Sequence, residues 1–187
     1  MSNVNKKNKG FTLVELLVAI ALFITIMTVS MSSIVGILDA NRKSRSLKTA
    51  LSNLNLAMES MAKEMRFGTN YHCGSTGTIT TPQNCAGGGT FVSFLSSDNL
   101  QITYSTTTTT LYKQVWPNYP TPPAPPFIAV TASEIIMDSV TFYTFGSDSS
   151  DTLQPKIIIR IIGHAGTIKG RSDFTLQTLV SQRFLDR

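Results

Sequence analysis

Between Phe11 and Leu38 the chain carries a single charge, Glu15, in a run otherwise made of apolar and small residues. About 28 helical residues rise roughly 42 Å, against a bilayer hydrocarbon core about 30 Å thick, so the run can span a membrane with tilt to spare. A cleaved secretory signal would be shorter and would close on a small-residue cleavage site. Here Asp39-Ala40-Asn41-Arg42 leads straight into another helical pattern, so the helix is expected to be retained. A carboxylate costs roughly 2.5–3.5 kcal/mol at the bilayer centre and less near an end. Glu15 either marks the headgroup boundary, where snorkelling lowers that cost, or supplies a charge wanted by a partner inside the membrane.

The residues around that charge are more specific. The stretch KGFTLVELLVAI, with Gly10 before Phe11 and Glu15 five positions after Gly10, resembles the N-terminus of type IV prepilins and pseudopilins. The resemblance implies cleavage by a membrane prepilin peptidase between Gly10 and Phe11, followed by N-methylation of Phe11. It also implies an assembly role for Glu15. Cleavage would create a cationic amine at Phe11, and Glu15 lies four residues later on the same helical face. An unpaired charge in low dielectric is costly, so Glu15 is driven to find a cation, which in this family is the terminal amine of a neighbouring subunit. The implied partners are prepilin peptidase, other pilin or pseudopilin subunits, the inner-membrane assembly machinery, and membrane lipid before assembly. The implied location is a single-pass cytoplasmic-membrane precursor with an extracytoplasmic head, then an extracellular or periplasmic filament. Many pilins break this helix with a proline. This chain has none between residues 11 and 81, offering only Gly36 and residues 30–33 as weak points. That departure argues against a melted segment and leans toward a minor subunit or pseudopilin.

Charge patterning adds less. The formal charge is +5, but Lys6, Lys7 and Lys9 sit in the predicted leader, leaving about +2 on the mature side chains. So small an excess does not by itself argue for a polyanion partner. Arg42, Lys43, Arg45 and Lys48 follow the span on its other side, so the positive-inside count does not fix the orientation. Cys73 and Cys85 are the only cysteines. An even pair in an exported domain points to a structural disulfide. The chain-entropy contribution of such a loop is roughly 2.5–3 kcal/mol. Zinc is disfavoured, because two cysteines and nearby His72 leave a fourth ligand unidentified.

Beyond the membrane, Leu47, Leu51, Leu54, Met58, Met61 and Met65 recur at alternating spacings of four and three, which is a helical stripe. The stripe predicts a helix continuing to about Phe67, stopped by Gly68. It is too short for a convincing coiled coil and is expected to pack on the chain's own sheet. Residues 70–89 read as a loop stapled by the cysteines. Strand-like runs follow at 90–96, 100–105, 110–116, 127–131, 135–145, 156–162 and 173–184, their β-branched and aromatic content predicting an antiparallel sheet. Residues 164–171 read as the turn of the final hairpin. The threonine run at 106–110 could be edge strand, loop or glycan acceptor. The segment PNYPTPPAPP at 117–126 should be extended and solvated.

No catalytic constellation accompanies His72 and His164, the only histidines, and neither GxSxG nor HExxH occurs, so an enzyme is not expected. His164 reads as a solvated turn residue. The loop GSDSSD at 146–151 makes Asp148 and Asp151 candidate calcium ligands, since some pseudopilins carry calcium in a C-terminal loop, though a solvated turn is favoured and no other cofactor is implied. Lys156, Arg160, Lys169 and Arg171 are candidate contacts for DNA phosphates or for an acidic neighbour, against the ordinary reading of a solvated strand face.

The expected fold is α+β: a long N-terminal helix, membrane-spanning in its first half, packed on a C-terminal antiparallel β-sheet head. The expected segments are a leader (1–10), a transmembrane and filament-core helix (11–38), an amphipathic continuation (39–68) and a β-rich head (69–187). The expected function is a structural subunit of a type IV pilus-like or type II secretion pseudopilus filament. The closing segment DFTLQTLVSQRF resembles minor pseudopilins of the J type. Two alternatives stay open: a tip adhesin or DNA-uptake binding pilin, and a single-pass anchored protein that never polymerises.

Overall fold

The computed structural model describes residues 10–74, 76–107, 109–148, 152–166 and 171–183. They form two compact units, one ending at Ser44 and the other beginning at Arg45.

The first unit is the N-terminal part of helix α1, which as an element covers Leu13–Phe67. Thr12 caps it, its Oγ1 accepting from the Glu15 N–H at 3.3 Å and its carbonyl from the Leu16 N–H at 3.2 Å. The apolar stretch is long enough to cross a membrane, and among the described residues none of it is buried. Four of its hydroxyls turn back onto the helix backbone. Thr25 and Thr28 each donate to the carbonyl four residues back at 2.8 Å, and Ser32 and Ser33 both donate to Val29 O. Such back-bonding lets hydroxyls sit in a nonpolar medium. The helix continues through residues 30–33 and Gly36 without a break.

The second unit holds the C-terminal turns of α1 and two antiparallel sheets, where one sheet was expected. The first has strand order β1-β3-β4-β5-β6, with β1 Thr69–Cys73, β3 Phe91–Leu95, β4 Gln101–Thr107, β5 Thr110–Trp116 and β6 Ile128–Ala129. The second has order β2-β7-β8-β9, with β2 Cys85–Gly89, β7 Ile135–Phe145, β8 Lys156–Ala165 and β9 Ser172–Ser181. One apolar core serves all three elements. Leu54, Met58, Met61 and Met65 of the helix cluster with Val92, Phe94, Ile102, Tyr104 and Leu111 of the first sheet, and with Phe142, Ile157, Ile159, Ile161 and Val180 of the second. The helical stripe therefore packs on the chain's own sheets, as its spacing predicts. Ala50 and Ala57 complete it.

Gly68 directly follows the helix, its N–H donating to Met65 O at 3.1 Å. A Cβ there would lie 2.5 Å from Phe94 Cδ2, and the left-handed residue is Asn70 instead, with φ of 54°. The last helical carbonyls find donors from both ends of the head. The Tyr71 hydroxyl donates to Met65 O, with Gly68 O also within reach, and the Arg183 N–H donates to Arg66 O at 2.9 Å. Those are groups a helix terminus leaves unsatisfied. Glu64 adds a side-chain tie, accepting from Tyr104 Oη at 2.7 Å and pairing with Lys113.

Residues 70–89 are not simply a loop. They contain β1 and β2 at their ends, and the disulfide Cys73–Cys85 spans a Cα separation of 5.6 Å to join one strand of each sheet. Segments of the intervening chain cover the outer face of β3 and β4. There Gln101 Nε2 donates to Ser93 Oγ at 2.6 Å and reaches Ile79 O, while His72 Nδ1 donates to Thr81 O at 2.8 Å. The stretch 127–131 shortens to the two residues of β6. The threonine run belongs to the β4–β5 hairpin, with Thr106 opposite Leu111 and Thr107 opposite Thr110.

Candidate functional site

Three groups of residues bear on function: the N-terminal processing and charge residues, the cysteines, and the polar residues of the second sheet.

Gly10 and Phe11 precede the helix, and both are exposed, Phe11 at 82%. Thr12-Leu13-Val14-Glu15 has the Thr-x-x-Glu spacing of a capping box, and its backbone half is formed at Thr12 Oγ1. Sequence reading singled out Glu15 for its charge and missed this local role, although the spacing is visible in the chain. Glu15 sits in the first helical turn, where the helix dipole favours an anion. An amine exposed at Phe11 would lie beside that same positive helix end, so Glu15 is the near group that offsets both.

The cysteines form the disulfide anticipated from their number. Both sulfurs lie 3.5 Å from Phe142 O, at the edge of the second sheet. As a disulfide they offer no thiolate for zinc. His72 is buried, and among the described residues its Nε2 has no hydrogen-bond partner.

Asp148 is exposed, and its carboxylate accepts from Asn84 Nδ2 at 3.2 Å, while Asn84 Oδ1 accepts from the Ser147 N–H. Asp151, the second carboxylate proposed for calcium, lies outside the described residues.

Of the candidate basic contacts, Lys156 and Arg160 lie on the exposed face of β8, four residues and about 13 Å of strand apart. The Lys156 ammonium sits 6.0 Å from the Phe145 ring centroid. Arg171 is instead paired with carboxylates: its Nε lies 2.7 Å from Asp173 Oδ1 and its Nη2 3.7 Å from Asp138 Oδ2. The hydrogen bond it donates to Asp173 is the main influence raising its pKa further above the ordinary guanidinium value. Lys169 lies outside the described residues. The described cations are thus not gathered into one basic patch.

His164 departs from expectation. It lies in β8 opposite Asp173, and its Nδ1 is 3.0 Å from Asp138 Oδ2. The ladder between β7 and β8 shifts register at Asp138, which brings that residue to the same end of the sheet. Gly163 allows the approach, because a Cβ there would fall 2.5 Å from Ile136 O. Asp138, His164 and Asp173 place their ligand-type atoms within 4.8 Å of one another, and Arg171 supplies the neighbouring cation.

Comparison with known proteins bears on the first group alone. The family described as the prokaryotic N-terminal methylation motif matches the chain at residues 5–31, which contain Gly10, Phe11 and Glu15. No curated protein and no solved structure matches the chain.

Proposed function

We propose that this type IV pilin-like chain, identified by the methylation motif at its N-terminus, is a structural subunit of a pilus or type II secretion pseudopilus, and that its work is mechanical. Prepilin peptidase removes the leader after Gly10, Phe11 is N-methylated, and Glu15 then seeks the terminal amine of a neighbouring subunit. The observation that carries this reading is the pairing of the processing motif with a capped apolar stretch that is unburied among the described residues. Such a surface must be covered by lipid or by other helices, because exposing it to water would forfeit about 25 cal/mol per Å².

The same helix suits both environments in turn: a single-pass precursor in the inner membrane, then a filament core made of packed helices. Continuity through residues 30–33 and Gly36 favours a subunit whose helix stays intact in the filament, in keeping with a minor pilin or pseudopilin. The head acts as a rigid body, with helix, sheets and disulfide sharing one core. We assign it no catalytic step and no resident cofactor.

Intact mass measured after co-expression with and without active prepilin peptidase tests the proposal. A peptidase-dependent loss of residues 1–10, leaving a methylated Phe11, supports it. An unprocessed N-terminus beside a competent peptidase overturns it in favour of a simple membrane anchor.

A further inference from the structure

We infer that Asp138, His164 and Asp173 form a site for a divalent transition ion of the zinc class at one end of the second sheet. All three residues lie in the head, and the ion is structural, serving no reaction. The inference therefore stands apart from the filament reading.

Placement comes first. Three adjacent strands, β7, β8 and β9, each contribute one ligand. His164 stands directly opposite Asp173 in the β8–β9 ladder, where facing Cβ atoms are about 4.5–5.5 Å apart. On the other side the ladder passes from Met137 opposite Gly163 to Ser139 opposite Ile162, so Asp138 is an extra residue with no counterpart. An inserted residue of this kind bends its strand and re-aims a side chain. Here it delivers the Asp138 carboxylate to the imidazole, with Oδ2 at 3.0 Å from His164 Nδ1.

Donor chemistry selects the ion. The three ligand-type atoms lie within 4.8 Å of one another. Two donors held about 2.0–2.1 Å from one zinc ion stand roughly 3.0–3.4 Å apart. The His164–Asp138 pair already has that spacing, so an ion would replace the proton now shared between its two atoms. The Asp173 side chain is 70% exposed and can close the remaining distance by rotation. An imidazole nitrogen beside two carboxylates suits zinc and its neighbours. Calcium instead takes about six to eight oxygens. The imidazole is mostly covered by the sheet, at 13% exposure, while both carboxylates reach solvent. The ring is thus fixed in place, and water can enter to fill the remaining coordination position.

Arg171 completes the argument. Two carboxylates held this close repel each other, and a nearby cation favours their charged forms. The Arg171 guanidinium supplies that charge, reaching Asp173 through Nε and Asp138 through Nη2. Its side chain is half exposed, so it can withdraw into water when an ion takes over its role. Ion and guanidinium compete for the same two carboxylates. In a purely structural network Arg171 would support the cluster, whereas in a metal site it weakens the ion. Because the ion binds the folded arrangement of three strands, it also stabilises the head by mass action.

The test uses the full chain in detergent micelles, purified on a histidine-free tag and stripped with chelator. Titration calorimetry follows Zn²⁺, and visible absorption of bound Co²⁺ reports a nitrogen-containing ligand set. We expect one Zn²⁺ per chain, undisturbed by excess Ca²⁺. H164Q should weaken binding by about tenfold or more, since losing even a group behind a ligand costs about 10–100-fold. R171Q should tighten binding several-fold, a gain that misfolding cannot produce. D148N, in the separate loop at residues 146–151, should leave binding unchanged. Absence of Zn²⁺ binding in the native chain, equal binding by H164Q, or weaker binding by R171Q than by the native chain overturns the site.

Discussion

Thr12 Oγ1 accepts a hydrogen bond from the backbone N–H of Glu15 at 3.3 Å, so the residue that carries the charge of the apolar helix also belongs to its N-terminal cap. The two roles separate by substitution. Glu15→Gln keeps a capping-box side chain and removes the charge, whereas Thr12→Ala removes the cap at a cost of about 1 kcal/mol of local helix stability. We expect Glu15→Gln to be processed and retained in the membrane yet lost from the sheared filament fraction, and Thr12→Ala to assemble at reduced yield. Normal incorporation of Glu15→Gln would show that capping, not charge, is what Glu15 supplies.

The disulfide Cys73–Cys85 joins β1 of one sheet to β2 of the other. Closing a loop of this length is worth about 3 kcal/mol in the chain-entropy model. The double variant Cys73→Ser, Cys85→Ser should therefore melt about 10 °C below the native head in differential scanning calorimetry. A shift under about 2 °C would mean that the shared core alone sets the spacing of the sheets.

What was legible in the chain was local. Gly10, Phe11 and Glu15 lie within six consecutive positions, and the strand runs at 110–116 and 135–145 match β5 and β7 residue for residue. The helical stripe was visible because its Leu and Met residues are large, whereas Ala50 and Ala57 carry too little apolar area to announce a face. TNYHC and CAGGG do not alternate apolar with polar, and they become strands only through partners distant in sequence and the cystine between them. His164 was misread as a turn residue because the nearby glycines suggest a turn, yet the β8 ladder runs on through Gly163 to Ala165. Its meeting with Asp138 depends on a register shift in β7, and no local pattern encodes that. Distance in sequence also hid the approach of Arg171 to Asp138, whereas its nearer partner, Asp173, lies only two residues away.

The core also defines the smallest part that should fold. Leu54, Met61 and Met65 are fully buried against the sheets, and truncating any one residue of this kind costs roughly 2–5 kcal/mol. Losing all three exhausts the 5–15 kcal/mol typical of a domain. A fragment beginning at Arg45 should give dispersed amide resonances and a cooperative melt. One beginning at Thr69, which lacks the helix, should give neither. Cooperative melting of the shorter fragment would show that the two sheets fold without their helix.

Tyr104 gives the head a predicted sensitivity to alkali. Burial pushes the pKa of its hydroxyl well above the ordinary tyrosine value, and the neighbouring Glu64 carboxylate, which accepts its hydrogen bond, pushes it further. The unfolded chain releases this proton near pH 10, while the folded head still holds it. Above that pH the native state binds more protons than the unfolded state, so stability falls as pH rises; below it the group contributes no slope. The expected slope from this residue is about 1.4 kcal/mol per pH unit between pH 10 and the folded-state pKa. Urea titrations of wild type and Tyr104→Phe at pH 9, 10 and 11 isolate it from the other tyrosines. The variant should start less stable at pH 9, having lost the bond to Glu64, and the gap should narrow by about 1 kcal/mol at pH 11. A gap that stays constant over this range would mean that Tyr104 ionises in the folded head as readily as in the unfolded chain.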